Sequence, residues 1–219
     1  MGEVRQGLLS VFARWGKPGA MRVDNGVPLG SPNGQAAPVL ALWLIAHDVD
    51  MIWSRPACPQ QNGRVEKMQH TAARWAEIGR AMDCADLQRR LDAALVLQRQ
   101  HYPVCRLQKR TRLQAFPQLE TSRRVYDPGG FDVQRAHRFL AGKLYTRKVS
   151  ACGTIVHYGQ VYCVGRPYGQ KWVQLRLTKD GQNWQVLADY KVVKTLPAPM
   201  LSAESIQSLT LFQRTNDST

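Results

Sequence analysis

Apolar positions recur at helical spacing and in short runs along the first hundred residues. Val4, Leu8, Val11, Phe12 and Trp15 fall at roughly helical spacing, which predicts a helix from Val4 to Trp15. Gly16-Lys17-Pro18-Gly19 ends it, because glycine accepts a left-handed cap and proline cannot continue a helix. A short strand, Ala20 to Val23, is predicted next and stops at Asp24-Asn25-Gly26. A Gly/Pro loop over 27–35 leads to an apolar stretch, Pro38 to His47, read as a buried helix. Val49 to Ser54 is a second short strand, and 55–63 is a loop. Helical spacing returns from Arg64 to Met82 and again from Cys84 to His101, with Asp83 placed as the N-cap of the last helix. Strands and helices that alternate in this way predict an α/β core.

The rhythm changes after residue 103. Prolines, the pair Gly129-Gly130 and many arginines mark a basic linker with short helical pieces. From Tyr145 to Thr195 the runs Thr154–Tyr158, Val161–Val164, Trp172–Leu177 and Trp184–Leu187 are separated by turn residues. Four or five short strands in that space suggest a small β-barrel, whose interleaved basic and aromatic residues suit phosphate contact and base stacking, with Trp172 and Trp184 assigned to its core. The expected organisation is therefore a partial α/β core with trailing helices over 1–103 and a basic linker over 104–144. A small barrel over 145–197 and a tail over 198–219, disordered at its end, complete it.

Composition narrows the function. Of 219 residues, 30 are Lys or Arg and 16 Asp or Glu, a net charge of +14 with a pI near 10.0. That excess favours a polyanionic partner, nucleic acid first and an anionic membrane second; the plainer reading is a basic, soluble surface. No apolar run reaches the roughly 18 residues of a membrane span. The first residues lack a basic segment followed by an apolar one, and Gly2 lacks a myristoylation context. Cys58, Cys84, Cys105, Cys152 and Cys163 are odd in number and widely spaced, which suits reduced thiols in the cytosol and gives no zinc motif.

The candidate chemistry rests on two carboxylates. Asp24 ends the first strand. Glu66 lies in the first turn of a helix, after a loop containing Pro56, Pro59, Gln61, Asn62 and Gly63. Each alone has an ordinary reading, a turn aspartate and a first-turn glutamate. On the Glu66 helix, His70 and Arg74 follow at four and eight positions, so both can share its face.

Taken in order, an apolar helix, Gly-x-Pro, a strand, Asp-Asn-Gly, a helix, a strand and Pro-x-x-Pro-x-x-Asn-Gly-x-Val-Glu form a long pattern over residues 4–75. It resembles the DDE integrase and transposase family, with the retroviral-integrase-like catalytic core of insertion-sequence transposases. Lys148-Val149-Ser150, Gly153-Thr154-Ile155, Tyr162-x-Val164-Gly165 and Trp172-Val173-x-Leu175 resemble the small barrel that follows that core. The resemblance implies a partial RNase H-like core followed by an SH3-like barrel. It implies DNA integration or transposition by strand transfer with Mg²⁺ or Mn²⁺, in which Asp24 and Glu66 are catalytic and hold metal. It implies DNA contacts by Asn62, Gly63, Arg64, Lys67, His70, Arg74, Arg147 and Lys148, Gly63 also supplying unusual backbone freedom before the glutamate helix. The expected partners are DNA and further copies of the chain, with neither a membrane nor a small-molecule substrate, in a bacterial cytoplasm or nucleoid.

Two departures modify the expectation. The interval between Asp24 and Glu66 exceeds the family's usual spacing, and the excess fits the loop at 27–35. The family uses three acids, and only Glu3, on the first helix, precedes Asp24. The expectation is a catalytic domain truncated at its N-terminus, with a strand edge left open. Two other readings stand beside it: a non-catalytic DNA-binding remnant, and a protein-interaction module.

Overall fold

The computed structural model describes residues 2–31, 36–56, 58–61, 63–121 and 124–210. The chain divides into two compact units. The first gathers Met1–Ser10, Pro18–Trp53 and Tyr126–Thr219; the second gathers Val11–Lys17 and Ser54–Val125. Helix α1 (Gly2–Trp15) passes from one into the other.

In the first unit, β1 (Ala20–Val23) and β2 (Asp50–Trp53) pair in parallel, with Ala20 opposite Asp50 and Val23 opposite Trp53. Parallel neighbours need a crossover, and α2 (Val39–Ala46) supplies it. All eight of its residues, Val-Leu-Ala-Leu-Trp-Leu-Ile-Ala, are buried. Each leucine contributes roughly 2 kcal/mol of burial. The helix packs against β2, α7 (Val133–Ala141) and α8 (Ala203–Ser208). At its end the His47 ring sits 4.6 Å from Trp43, 5.1 Å from Tyr126 and 5.4 Å from Phe131.

The same unit holds the β-rich part. Strands β3 (Tyr145–Lys148), β6 (Trp172–Leu177), β7 (Asn183–Ala188) and β8 (Lys191–Pro197) form an open antiparallel sheet in the order β3-β6-β7-β8. Strands β4 (Thr154–His157) and β5 (Gln160–Cys163) form a separate hairpin. The inner face carries Tyr145, Val173, Leu175, Leu177, Trp184 and Val186, all buried. His157 joins them, its ring 4.5 Å from Trp184 and 5.1 Å from Tyr145. Trp184 is core as expected. Trp172 is not: it is 66% exposed, because the alternation of β6 turns Trp172, Gln174 and Arg176 away from Val173, Leu175 and Leu177.

In the second unit, α3 (Gly63–Trp75) is shorter than expected. Glu77 takes a left-handed conformation (φ 48°, ψ 52°) and the chain continues as a 3-10 turn, Ile78–Arg80. Helix α4 (Cys84–Val96) begins as predicted, with the Asp83 carboxylate accepting from the Asp86 amide at 2.7 Å. It runs into a π-helical turn, Leu97–His101. The Trp75 and Tyr102 rings meet at 4.9 Å, and the Arg99 guanidinium lies 3.8 Å above Trp15. Within 104–144 the short pieces are α5 (Arg112–Ala115), opened by a Thr111–Gln114 capping box, and α6 (Gln118–Thr121), with α7 the longest. Ordered structure also extends past 197. Leu201 and Ile206 are buried, and the Leu201 carbonyl meets His137 Nε2 at 2.7 Å. Residues 216–219 lie outside the described residues. All five cysteines are free. Among the described residues no helix is long and apolar enough to cross a membrane.

Candidate functional site

Asp24 stands at the carboxyl end of β1, the end of a parallel strand where α/β folds present their ligand-binding loops. Its side chain is exposed, and Oδ1 accepts from the Gly26 amide at 3.0 Å. The loop behind it is tightly wound. Gly30 donates to the Gly26 carbonyl at 2.7 Å, and a Cβ on Gly30 would lie 2.4 Å from the Asn25 carbonyl carbon, so only glycine fits. The Trp53 indole N–H donates to the Leu29 carbonyl at 2.9 Å and ties the loop to the end of β2. Asp24 is thus held at the tip of a braced turn.

A cavity of about 190 Å³ lies beside this turn, lined by Asn25, Ser31, Pro38, Trp53, Lys143 and Tyr145 among others. The Lys143 ammonium sits 4.4 Å from the Phe139 ring centroid and 5.2 Å from that of Trp53. Burial holds its pKa below the usual lysine range.

Glu66 is exposed in the first turn of α3, where the helix dipole favours a carboxylate. The loop before it is closed by Gln61, whose Oε1 accepts from the Arg55 amide at 3.0 Å. Gly63 departs from expectation. Its backbone is outside the left-handed region, and a Cβ there would meet nothing within 4 Å, so its conformation does not require glycine. Lys67, His70 and Arg74 are exposed on the same helix. Asn62 and the Arg64 side chain lie outside what the structure describes. Asp24 belongs to the first unit and Glu66 to the second. Among the described residues no group of three His, Cys, Asp or Glu side chains clusters as a metal site, which does not bear on a site built from two carboxylates.

Arg147 and Lys148 occupy unlike places although they are neighbours. The Arg147 guanidinium is half-buried and internally bonded: Nε donates to the Val156 carbonyl at 3.2 Å and Nη1 to the Thr146 carbonyl at 2.7 Å. Nη2 lies 2.8 Å from His157 Nδ1. It fastens β3 to the β4–β5 hairpin. Burial, then the Arg147 charge, pushes the His157 pKa down to about 3. Lys148 is exposed on the opposite face, directly across from Trp172.

Trp172, expected in the core, lies on the exposed face. The signal that places it outside is the strict alternation Trp-Val-Gln-Leu-Arg-Leu, which puts an indole, an amide and a guanidinium on one face and three aliphatic side chains on the other. No protein-family model matches the chain.

Proposed function

We propose that this chain binds DNA and carries two of the carboxylates of a DDE-type integrase or transposase, the last two in chain order. In this reading the β1-α2-β2 unit is part of an RNase H-like core, and the β3–β8 region is the small SH3-like barrel that follows it. The observation that carries the proposal is the position of Asp24, at the exposed carboxyl end of a parallel strand whose partner is reached through a buried crossover helix. Glu66, in the first turn of α3, supplies the second carboxylate. The charge of +14 fits a polyphosphate partner.

The chemistry asked of these residues is metal-assisted phosphoryl transfer. Mg²⁺ is a hard cation that prefers carboxylate oxygens and water, and the family resemblance gives the role of metal ligand to Asp24 in the first unit and to Glu66 in the second. When bound, it would activate the attacking oxygen and stabilise the leaving one. Exposed Lys67, His70 and Arg74 on the Glu66 helix would meet phosphate. The metal reading is tested by Mn²⁺ binding, followed by water-proton relaxation. Asp24→Asn and Glu66→Gln should each abolish a specific site, and an unchanged titration in both variants would refute it. DNA binding is tested separately by fluorescence anisotropy across a salt series.

A second reading, DNA binding without chemistry, is favoured by the local role of Asp24, whose Oδ1 already accepts from the Gly26 amide and closes the turn. Strand nicking or joining with Mn²⁺ that is lost in Glu66→Gln would rule it out.

A further inference from the structure

The outer face of the four-stranded sheet presents a large aromatic surface that packing does not use. Trp172 is 66% exposed, although tryptophan is usually well buried. Its direct cross-strand neighbour is the exposed Lys148. Two and four residues further along the same strand and face stand Gln174 and Arg176. The Arg176 guanidinium donates to Gln185 Oε1 through Nη2 at 2.9 Å and Nε at 3.3 Å, which holds it against the sheet. Strands β3, β6, β7 and β8 contain five basic residues and no acidic one. Beside Arg176, a groove of about 870 Å³ between α7 and the β6–β7 turn adds Arg138 and Lys179 to its lining.

We infer that this face binds an unpaired nucleic-acid strand, with a base stacked on Trp172 and adjacent phosphates on Lys148 and Arg176. The inference rests on the DNA-binding reading and specifies the form of nucleic acid and the surface that takes it. Trp172 and Arg176 are four residues apart on one strand, roughly 13 Å. A base can therefore cover the ring while a following phosphate reaches the guanidinium. The ligand is an unpaired strand because a base must offer its face to the indole, and in a duplex those faces are closed by stacking. An acidic peptide would satisfy the two cations but leave the ring without a partner. Stacking on an exposed aromatic tolerates any base, so recognition here is of strand form rather than of sequence.

The test uses the full chain and a fluorescein-labelled oligothymidylate, read by anisotropy against the duplex of the same length. The unpaired strand is expected to bind more tightly than the duplex. Trp172→Ala should weaken the oligothymidylate complex at least about fivefold, the low end of an aromatic–base stack, and leave duplex binding unchanged. Trp172→Phe should restore most of the loss. Circular dichroism of both variants should match the parent, since the side chain is exposed. In Lys148→Gln/Arg176→Gln the plot of log affinity against log salt should become shallower by about 1.4, since each phosphate contact on a single strand is worth about 0.7. Unchanged oligothymidylate affinity in Trp172→Ala, with wild-type DNA binding intact, would overturn this inference and leave the DNA reading standing. No binding of either DNA form by the wild type at low salt would overturn both. Equal competition by a polyglutamate peptide, with no effect of Trp172→Ala, would also overturn it.

Discussion

Acidification should destabilise the first unit through one residue, His157. Its ring is 1% exposed and lies among Tyr145, Tyr158 and Trp184, with Nδ1 facing the Arg147 guanidinium at 2.8 Å. Among the described residues the buried Nε2 has no hydrogen-bond partner. A proton added to this ring would sit in an aromatic enclosure beside a positive charge, so the folded-state pKa falls from 6.5 to about 3. The unfolded chain still binds a proton near 6.5. Between those values the unfolded state therefore holds more protons, and stability falls as pH falls through that window. Above pH 7 the contribution is flat. The full difference, reached only below pH 3, is about 5 kcal/mol, and by pH 5 about 2 kcal/mol of it is lost.

Urea unfolding at pH 7.5 and pH 5 measures this effect. His157→Gln keeps an acceptor for Arg147 but does not titrate. It should be less stable than the parent at pH 7.5 and lose about 2 kcal/mol less on going to pH 5. Groups common to both proteins cancel in the comparison. NMR of the His157 ring gives an independent check, since its resonance should stay in the neutral form at pH 5. A midpoint near 6.5, or the same pH dependence in parent and variant, would refute the reasoning.

Other predictions concern the turns and caps. Gly30→Ala should cost about 2–3 kcal/mol, because its Cβ would overlap the Asn25 backbone, whereas Gly63→Ala should be neutral or stabilise by about 0.5 kcal/mol; thermal melts compare them. Gly181→Ala should lower the melting temperature sharply, since φ is +76° there and a Cβ would fall 2.0 Å from His137 Nδ1. Asp83→Ala removes the cap of α4 and about 1 kcal/mol, so amide hydrogens in the first turn of that helix should exchange roughly fivefold faster.

The sequence by itself determined most of the elements. The strand at Ala20–Val23, the apolar helix after Pro38, the Asp83 cap and the run Trp172–Leu177 were legible because each is set by local chemistry: a repeat, a cap or a stop. The position of Asp24 before a turn was legible for the same reason. The inward or outward direction of Trp172 was also encoded, in the alternation of its strand, but apolar character outweighed that signal in the reading. Only the tertiary structure could decide the rest. It showed that the helix following 197 buries Ile206, and that Glu77 adopts a left-handed conformation that stops α3 early. It showed that Gly30 is required by close backbone approach while Gly63 is not. It also separated Arg147 from Lys148, one bonded inward to His157 and the other exposed beside Trp172. Spacing along a chain reports periodicity, whereas burial, hydrogen-bond partners and close approaches depend on residues far away in sequence.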